Sequence, residues 1–120
     1  MSRIISGLAG SIRLASAPAG TRPTSDRVKE SVFASLEAVG AIENADVLDL
    51  FAGTGALGLE ALSRGAKSLV AVESARAALN VCLKNSASVG TALSAAGARP
   101  PMEIKLSDAV AYLASTIKEF

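Results

Sequence analysis

The chain has 120 residues, room for one small domain, with half of them hydrophobic and 12 Lys or Arg against 11 Asp or Glu. A lone Cys82 excludes an internal disulfide and a multi-cysteine zinc site, and the absence of His excludes His-based triads, His-ligated metals and imidazole bases, so no metal site is expected. No apolar run approaches the roughly 18 residues that span a bilayer, so no membrane partner is expected either.

Charge is uneven along the chain. The first 29 residues hold Arg3, Arg13, Arg22, Arg27 and Lys29 against Asp26 alone, a net of +4, and the remainder carries −3. A basic arm on a mildly acidic body suits a polyanionic partner; the plainer reading is a solvated surface. Arg3, the run from Ile4 to Ile12 and Ala15-Ser16-Ala17 superficially fit a signal peptide. Gly7, Gly10 and Ser11 dilute that run, however, and Arg13 precedes the cleavage position, so a cytoplasmic protein is expected.

Residues 3 to 15 alternate roughly, with Ile5, Leu8, Ile12 and Leu14 among Ser, Gly and Arg, which predicts a short β-hairpin. Pro18 to Pro23 is a turn-rich link, so residues 1–24 read as an arm and 25–120 as an α/β domain. A helix is expected from Ser25 or Asp26, with Val28, Val32, Leu36 and Val39 as one apolar stripe and Gly40 as its stop. From residue 46 the pattern becomes strand, helix, strand, helix, strand, helix. The strands are expected at about 46 to 51, 68 to 72 and 102 to 106. The first of these helices stops at Gly65; the second is capped by Ser74, carries Ala78, Leu79, Cys82, Leu83, Ser86 and Val89, and ends at Gly90. The last follows Ser107-Asp108 with Val110, Leu113 and Ile117. Alternating strands and helices imply a parallel, Rossmann-like sheet.

The most informative stretch is Asp46-Val-Leu-Asp-Leu-Phe-Ala-Gly-Thr-Gly-Ala-Leu-Gly58, an apolar strand running into a glycine-rich turn and a helix. Gly53, Gly55 and Gly58 have the G-x-G-x-x-G spacing: the first for a tight turn, the second for close backbone approach to a ligand, the third for helix–strand packing. Asp49 lies four residues before Gly53, and Glu73 lies 20 after it. In such sheets ligands sit beyond the carboxyl ends of the strands, where this chain has Asp49, Glu73 and Asp108. Three acids suit a ligand with donors and positive charge and oppose a pyrophosphate. S-adenosylmethionine (SAM) fits: Asp49 toward its ammonium, Glu73 toward the ribose hydroxyls, Asp108 toward the adenine amine, with backbone amides at the helix start facing its carboxylate. NAD is the rival, disfavoured by the acid at Asp49. Plainer readings stand beside each acid: a strand-end carboxylate bonded to nearby amides for Asp49, a solvated loop charge for Glu73, and a helix N-cap for Asp108. Cys82 reads as core.

Asp49-Leu-Phe-Ala-Gly-Thr-Gly-Ala-Leu-Gly-Leu-Glu-Ala-Leu-Ser-Arg-Gly-Ala66 resembles the SAM-binding segment of the RsmD-like family, bacterial methyltransferases of the guanine N2 amine in small-subunit rRNA. Arg3-Ile-Ile-Ser-Gly and Thr21-Arg-Pro-Thr-Ser-Asp-Arg-Val-Lys-Glu30 are similar to that family's opening hairpin and following helix. The resemblance implies SAM as methyl donor and small-subunit rRNA, or an assembly intermediate of it, as partner. It implies that Arg3, Arg13, Arg22 and Arg27 lie toward RNA and that Thr24 approaches the cofactor. The candidate cofactor contacts are then Thr24, Asp49, Phe51, Ala52, Gly53, Thr54, Gly55, Gly58, Glu73, Ser74, Asp108 and Ala109.

The family's catalytic signature, an Asp- or Asn-Pro-Pro-aromatic motif after a fourth strand, is not matched. Pro100-Pro101 follows Arg99 and precedes Met102. The catalytic residues are therefore unassigned, and the chain reads as the cofactor-binding part of a methyltransferase, with the further strands of the family's sheet missing. A non-catalytic SAM- or RNA-binding module is the alternative. Without a fourth strand, Val47 to Phe51 becomes an apolar sheet edge and a site for self-association.

Overall fold

A computed structural model describes residues 2–16 and 25–117; the expected Pro18 to Pro23 link, Arg22 and Thr24 lie outside the described residues. Strands β1 (Asp46–Asp49), β2 (Ser68–Glu73) and β3 (Met102–Leu106) form one parallel sheet in that order. Asp46 pairs with Ser68 and Asp49 with Ala71, while Leu69 pairs with Met102 and Glu73 with Leu106. Among the described residues β1 pairs with β2 alone, so it forms an edge, as expected. β1 is shorter than the expected 46 to 51 because the Asp49 Oδ1 accepts the Phe51 N–H at 3.1 Å and turns the chain.

The described helices are α1 (Asp26–Ala38), α2 (Ala56–Ser63), α3 (Arg76–Ala95) and α4 (Ala109–Ile117), of which α2, α3 and α4 pack on the sheet. α2 is apolar nearly all round and is buried from Gly58 to Ser63, packed on β1, β2 and α3. α3 does not stop at Gly90. It continues to Ala95 because Val89 and Leu93 extend its buried row, and Gly97 at φ +87° follows the C-cap Ala96. Gly90 instead faces β3: a Cβ there would lie 3.2 Å from the Met102 methyl carbon. None of the described helices is long and apolar enough to cross a membrane.

Two expectations at the N-terminus change. The hairpin has a single bridge, Arg3 to Arg13, rather than two strands. Ile4 N–H donates to the Ile12 carbonyl at 2.9 Å and Ser11 N–H to the Ile4 carbonyl at 2.7 Å. Several of its backbone groups turn to α2 instead, where the Glu60 carboxylate accepts the Ile5 and Ser6 N–H groups at 2.9 and 3.1 Å. Ser63 Oγ accepts the Ala9 N–H at 2.9 Å and donates to the Ser6 carbonyl at 2.6 Å.

Helix α1 starts as expected, with Ser25 Oγ accepting the Val28 N–H at 3.2 Å, and its C-terminal turn closes through Gly40 at φ +69°. Its predicted stripe is not the packed face, however. Val28, Val32, Leu36 and Val39 are exposed, and the residues it buries are Lys29 and Phe33. The reason is a buried charge cluster. Lys29 Nζ donates to the Arg3 carbonyl at 2.5 Å and lies 3.6 Å from Glu60 Oε1, with both side chains wholly buried. Arg64 donates to Glu60 and Glu37 at 2.8 Å and to Glu30 at 2.9 Å, above the Phe33 ring. Burial opposes the Arg64 charge, but hydrogen bonds to Glu60, Glu37 and Glu30 outweigh it and hold its pKa above the ordinary value.

Candidate cofactor site at the strand ends

The parallel register brings the carboxyl ends of all three strands to one edge of the sheet. Asp49 ends β1, Glu73 ends β2, and Asp108 follows β3 at the start of α4. Each acid also has local work. Asp49 is half-buried; burial foremost, and the nearby Glu73 charge after it, push its pKa up, while the Phe51 amide pulls the other way. Glu73 is not a free loop charge. Its Oε1 accepts the Gly53 N–H and its Oε2 the Ala75 N–H, both at 2.8 Å, so it ties the glycine turn to the entry of α3. Each oxygen keeps a second lone pair. Asp108 caps α4, accepting the Ala111 N–H at 2.7 Å through one oxygen, with Ala109 beside it in the first turn.

The expected cap Ser74 is exposed and stands one residue short of the N-cap of α3, which Ala75 fills without a side-chain bond. The Glu73 carboxylate draws the Ala75 amide back and keeps the chain extended for that extra residue.

The glycine turn is fixed from beneath. Ala52 N–H donates to the Val72 carbonyl at 3.0 Å and Gly55 N–H to the Ala52 carbonyl at 2.8 Å. Gly53 has φ +56° and nothing within 4 Å of where a Cβ would stand, so its outer side is open. Gly55 behaves differently from expectation. It is the left-handed N-cap of α2, and a Cβ on it would lie 2.8 Å from Cys82 Sγ, so α3 rather than a ligand demands a glycine there. Gly58 has the expected packing role, since a Cβ would approach Leu69 Cδ1 to 2.6 Å. Cys82 is core, its thiol pushed up by burial and, after that, by the charges of Asp49 and Glu73. The Phe51 ring is exposed and lines a groove of about 420 Å³ with Val32, Leu36, Leu48 and Leu57, between α1, β1 and α2.

On the arm, Arg3 and Arg13 are cross-strand partners, which puts their side chains on one face. Arg3 Nε donates to Asp26 Oδ2 at 3.2 Å, beside the first turn of α1, and Arg27 is exposed on that turn. Lys29 does not join them, because it is buried against Glu60. Sequence reasoning missed two polar residues here, Glu60 and Asn85. Glu60 had a signal: a lone acid in a helix apolar nearly all round has to find partners inside. Asn85 had none, since it sits among ordinary polar residues of α3.

Residues 2–113 match the family described as Conserved hypothetical protein 95. The chain is 50% identical over 70 residues to Ribosomal RNA small subunit methyltransferase D of Escherichia coli K12, a match covering 58% of this chain and 34% of that protein. It is 46% identical over 72 residues to the Putative rRNA methyltransferase YlbH of Bacillus subtilis, covering 59% and 38%. Among solved structures, a putative methyltransferase from Escherichia coli superposes with a TM-score of 0.72 at 41% identity, over 94% of this chain and 56% of that one. A hypothetical protein of Thermus thermophilus superposes at 0.82 with 27% identity, over 99% and 63%. The matches span about a third of the length of these curated relatives. The sheet is of the Rossmann-like methyltransferase type, and the chain belongs to the Conserved hypothetical protein 95 family, the RsmD-like group to which its glycine-turn segment is similar.

Proposed function

We propose that the chain is the cofactor-binding part of a SAM-dependent rRNA methyltransferase whose target is the N2 amine of a guanine in small-subunit rRNA. The observation that carries this reading is the environment of Asp49. Its ionised form is disfavoured by burial and by Glu73, and the charge of a cationic ligand at the strand ends would offset both, whereas a pyrophosphate would meet two acids at once. Asp49 would attract the ammonium, Glu73 would accept ribose hydroxyls through its remaining lone pairs, and the free oxygen of Asp108 would accept the adenine amine. The open side of Gly53 leaves room for a ligand against the turn, and Thr54 lies on that turn. SAM supplies an already activated methyl group, so the chain's task is positioning rather than acid–base chemistry. Arg3, Arg13 and Arg27 would meet RNA phosphates.

For these 120 residues alone, the sequence around Pro100-Pro101 favours binding without transfer, since it lacks the acid or amide and the aromatic residue that flank the family's motif. Calorimetry against S-adenosylhomocysteine (SAH) and NAD, followed by radiolabelled methyl transfer to undermodified small-subunit rRNA, tests both levels. Heat from SAH and none from NAD is expected; the reverse sinks the cofactor assignment. No incorporation is expected from these 120 residues alone, and incorporation into a base other than guanine sinks the target.

A further inference from the structure

Asn85 is a buried polar side chain that neither the cofactor nor the RNA reading uses. It lies on α3 and is 1% exposed. Its Oδ1 accepts the Ala15 N–H at 2.7 Å, and its Nδ2 donates to the Ala15 carbonyl at 3.2 Å and to the Thr54 carbonyl at 2.9 Å. One amide thus matches both backbone groups of the residue leaving the hairpin and, at the same time, the carbonyl between Gly53 and Gly55.

The chemistry admits little else at this position. One N–H and two carbonyls converge on the side chain, which calls for one acceptor and two donors on a planar group; a carboxylate of the same shape would set an oxygen against two carbonyls. The turn and the hairpin exit have no direct hydrogen bond to one another among the described residues, so Asn85 is the polar link between them.

We propose that Asn85 is a positioning residue that couples the cofactor turn to the basic arm, so that a ligand on the turn and RNA on the arm each strengthen the other's binding. The proposal rests on the reading of the turn as a SAM site and the arm as an RNA surface. Linkage requires the effect to be reciprocal. A ligand that fixes Thr54 also fixes the carbonyl that holds the Asn85 amide, and through it Ala15. Arg3 and Arg13 sit on the hairpin that Ala15 leaves.

The test begins with the parent chain. SAH binding by calorimetry and binding of a small-subunit rRNA fragment by fluorescence anisotropy establish whether the underlying reading stands. If SAH binds, saturating SAH should slow hydrogen exchange of the Ala15 amide about tenfold and tighten RNA binding several-fold. In Asn85→Ala, checked for folding by circular dichroism, SAH affinity should fall about tenfold, the scale of one or two buried hydrogen bonds. RNA affinity should then be the same with and without SAH. Asn85→Asp should behave as Asn85→Ala. A folded Asn85→Ala that keeps the SAH-dependent gain in RNA affinity overturns the coupling. Should the variant fail to fold, unchanged Ala15 exchange in the SAH-saturated parent overturns it instead. Failure of the parent to bind SAH or RNA is a failure of the functional reading and is seen before any variant is made.

Discussion

On one side of α1, Lys29 is wholly buried against Glu60, and the neighbouring Arg64 joins Glu60, Glu30 and Glu37. On the other side, Val28, Val32, Leu36 and Val39 are 39–77% exposed, and Val32 and Leu36 line a groove bordered by β1. The helix is attached by Phe33 and by its charged side chains, and presents its apolar stripe outward, nearly the inverse of the usual amphipathic arrangement. A buried ion cluster adds little net stability compared with apolar packing, yet it is costly to break, and it fixes one register because only one placement satisfies all its members. The hairpin, α1 and α2 are therefore joined by specific bonds, whereas the open side of α1 has bulk hydrophobic surface and no specified neighbour among the described residues.

The sharpest way to break this contrast is Glu60→Ala. It leaves Lys29 buried without its counter-charge and strips the Ile5 and Ser6 amides of their acceptor, so denaturant unfolding should show a loss of about 3–5 kcal/mol. A loss below about 1 kcal/mol would mean that the cluster is incidental. Ser63→Ala probes the same junction more gently. It orphans the Ala9 amide and the Ser6 carbonyl, and the same measurement should register about 1–3 kcal/mol.

Asp49 borders the open side and should respond in the opposite direction. Its folded-state pKa is raised above the unfolded value, so the folded chain holds that proton more tightly and the ionised carboxylate costs stability. The cost is absent below the unfolded pKa, grows as pH rises through the interval between the two values, and is complete above the folded one. Asp49→Asn should therefore raise the melting temperature at pH 7 by a few degrees, leave it unchanged near roughly pH 3, and weaken SAM binding. A lower melting temperature at pH 7 would contradict the electrostatic account. The smallest effect on stability belongs to Val32→Ser with Leu48→Thr, one on each wall of the groove. Together they should change stability by no more than about 1 kcal/mol, as surface substitutions do, while light scattering shows less self-association than in the parent. A large destabilisation would mean that the groove is closed in solution.

The sheet was legible because β2 is a short apolar run and β3 a short alternating one, each bounded by turn residues, and because Asp49, Gly53 and Glu73 stand at the spacing that such a crossover requires. The ends of elements were less so. Gly90 carries the same residue type as a helix stop, but it lies mid-helix, close to the Met102 methyl carbon across the fold. The stripe on α1 was legible but its exposure was not, because periodicity reports which residues share a face and not which face is covered. The need of Glu60 for buried partners was readable from its place in an apolar helix, but its partner Ser6, 54 residues away, and the Asn85 partner Ala15, 70 away, lie beyond the reach of local pattern.

Glu73 has a consequence for anyone who would redesign the crevice. Exchanging the acid at the end of the second strand is the obvious route to a different nucleotide preference in folds of this kind. Here the same carboxylate bridges the Gly53 and Ala75 amides, so replacing it would dismantle the loop that any new ligand has to lie against. Altered specificity would have to be built by keeping Glu73 and reshaping the residues around it, with Ser74 and Ala109 as the adjustable positions.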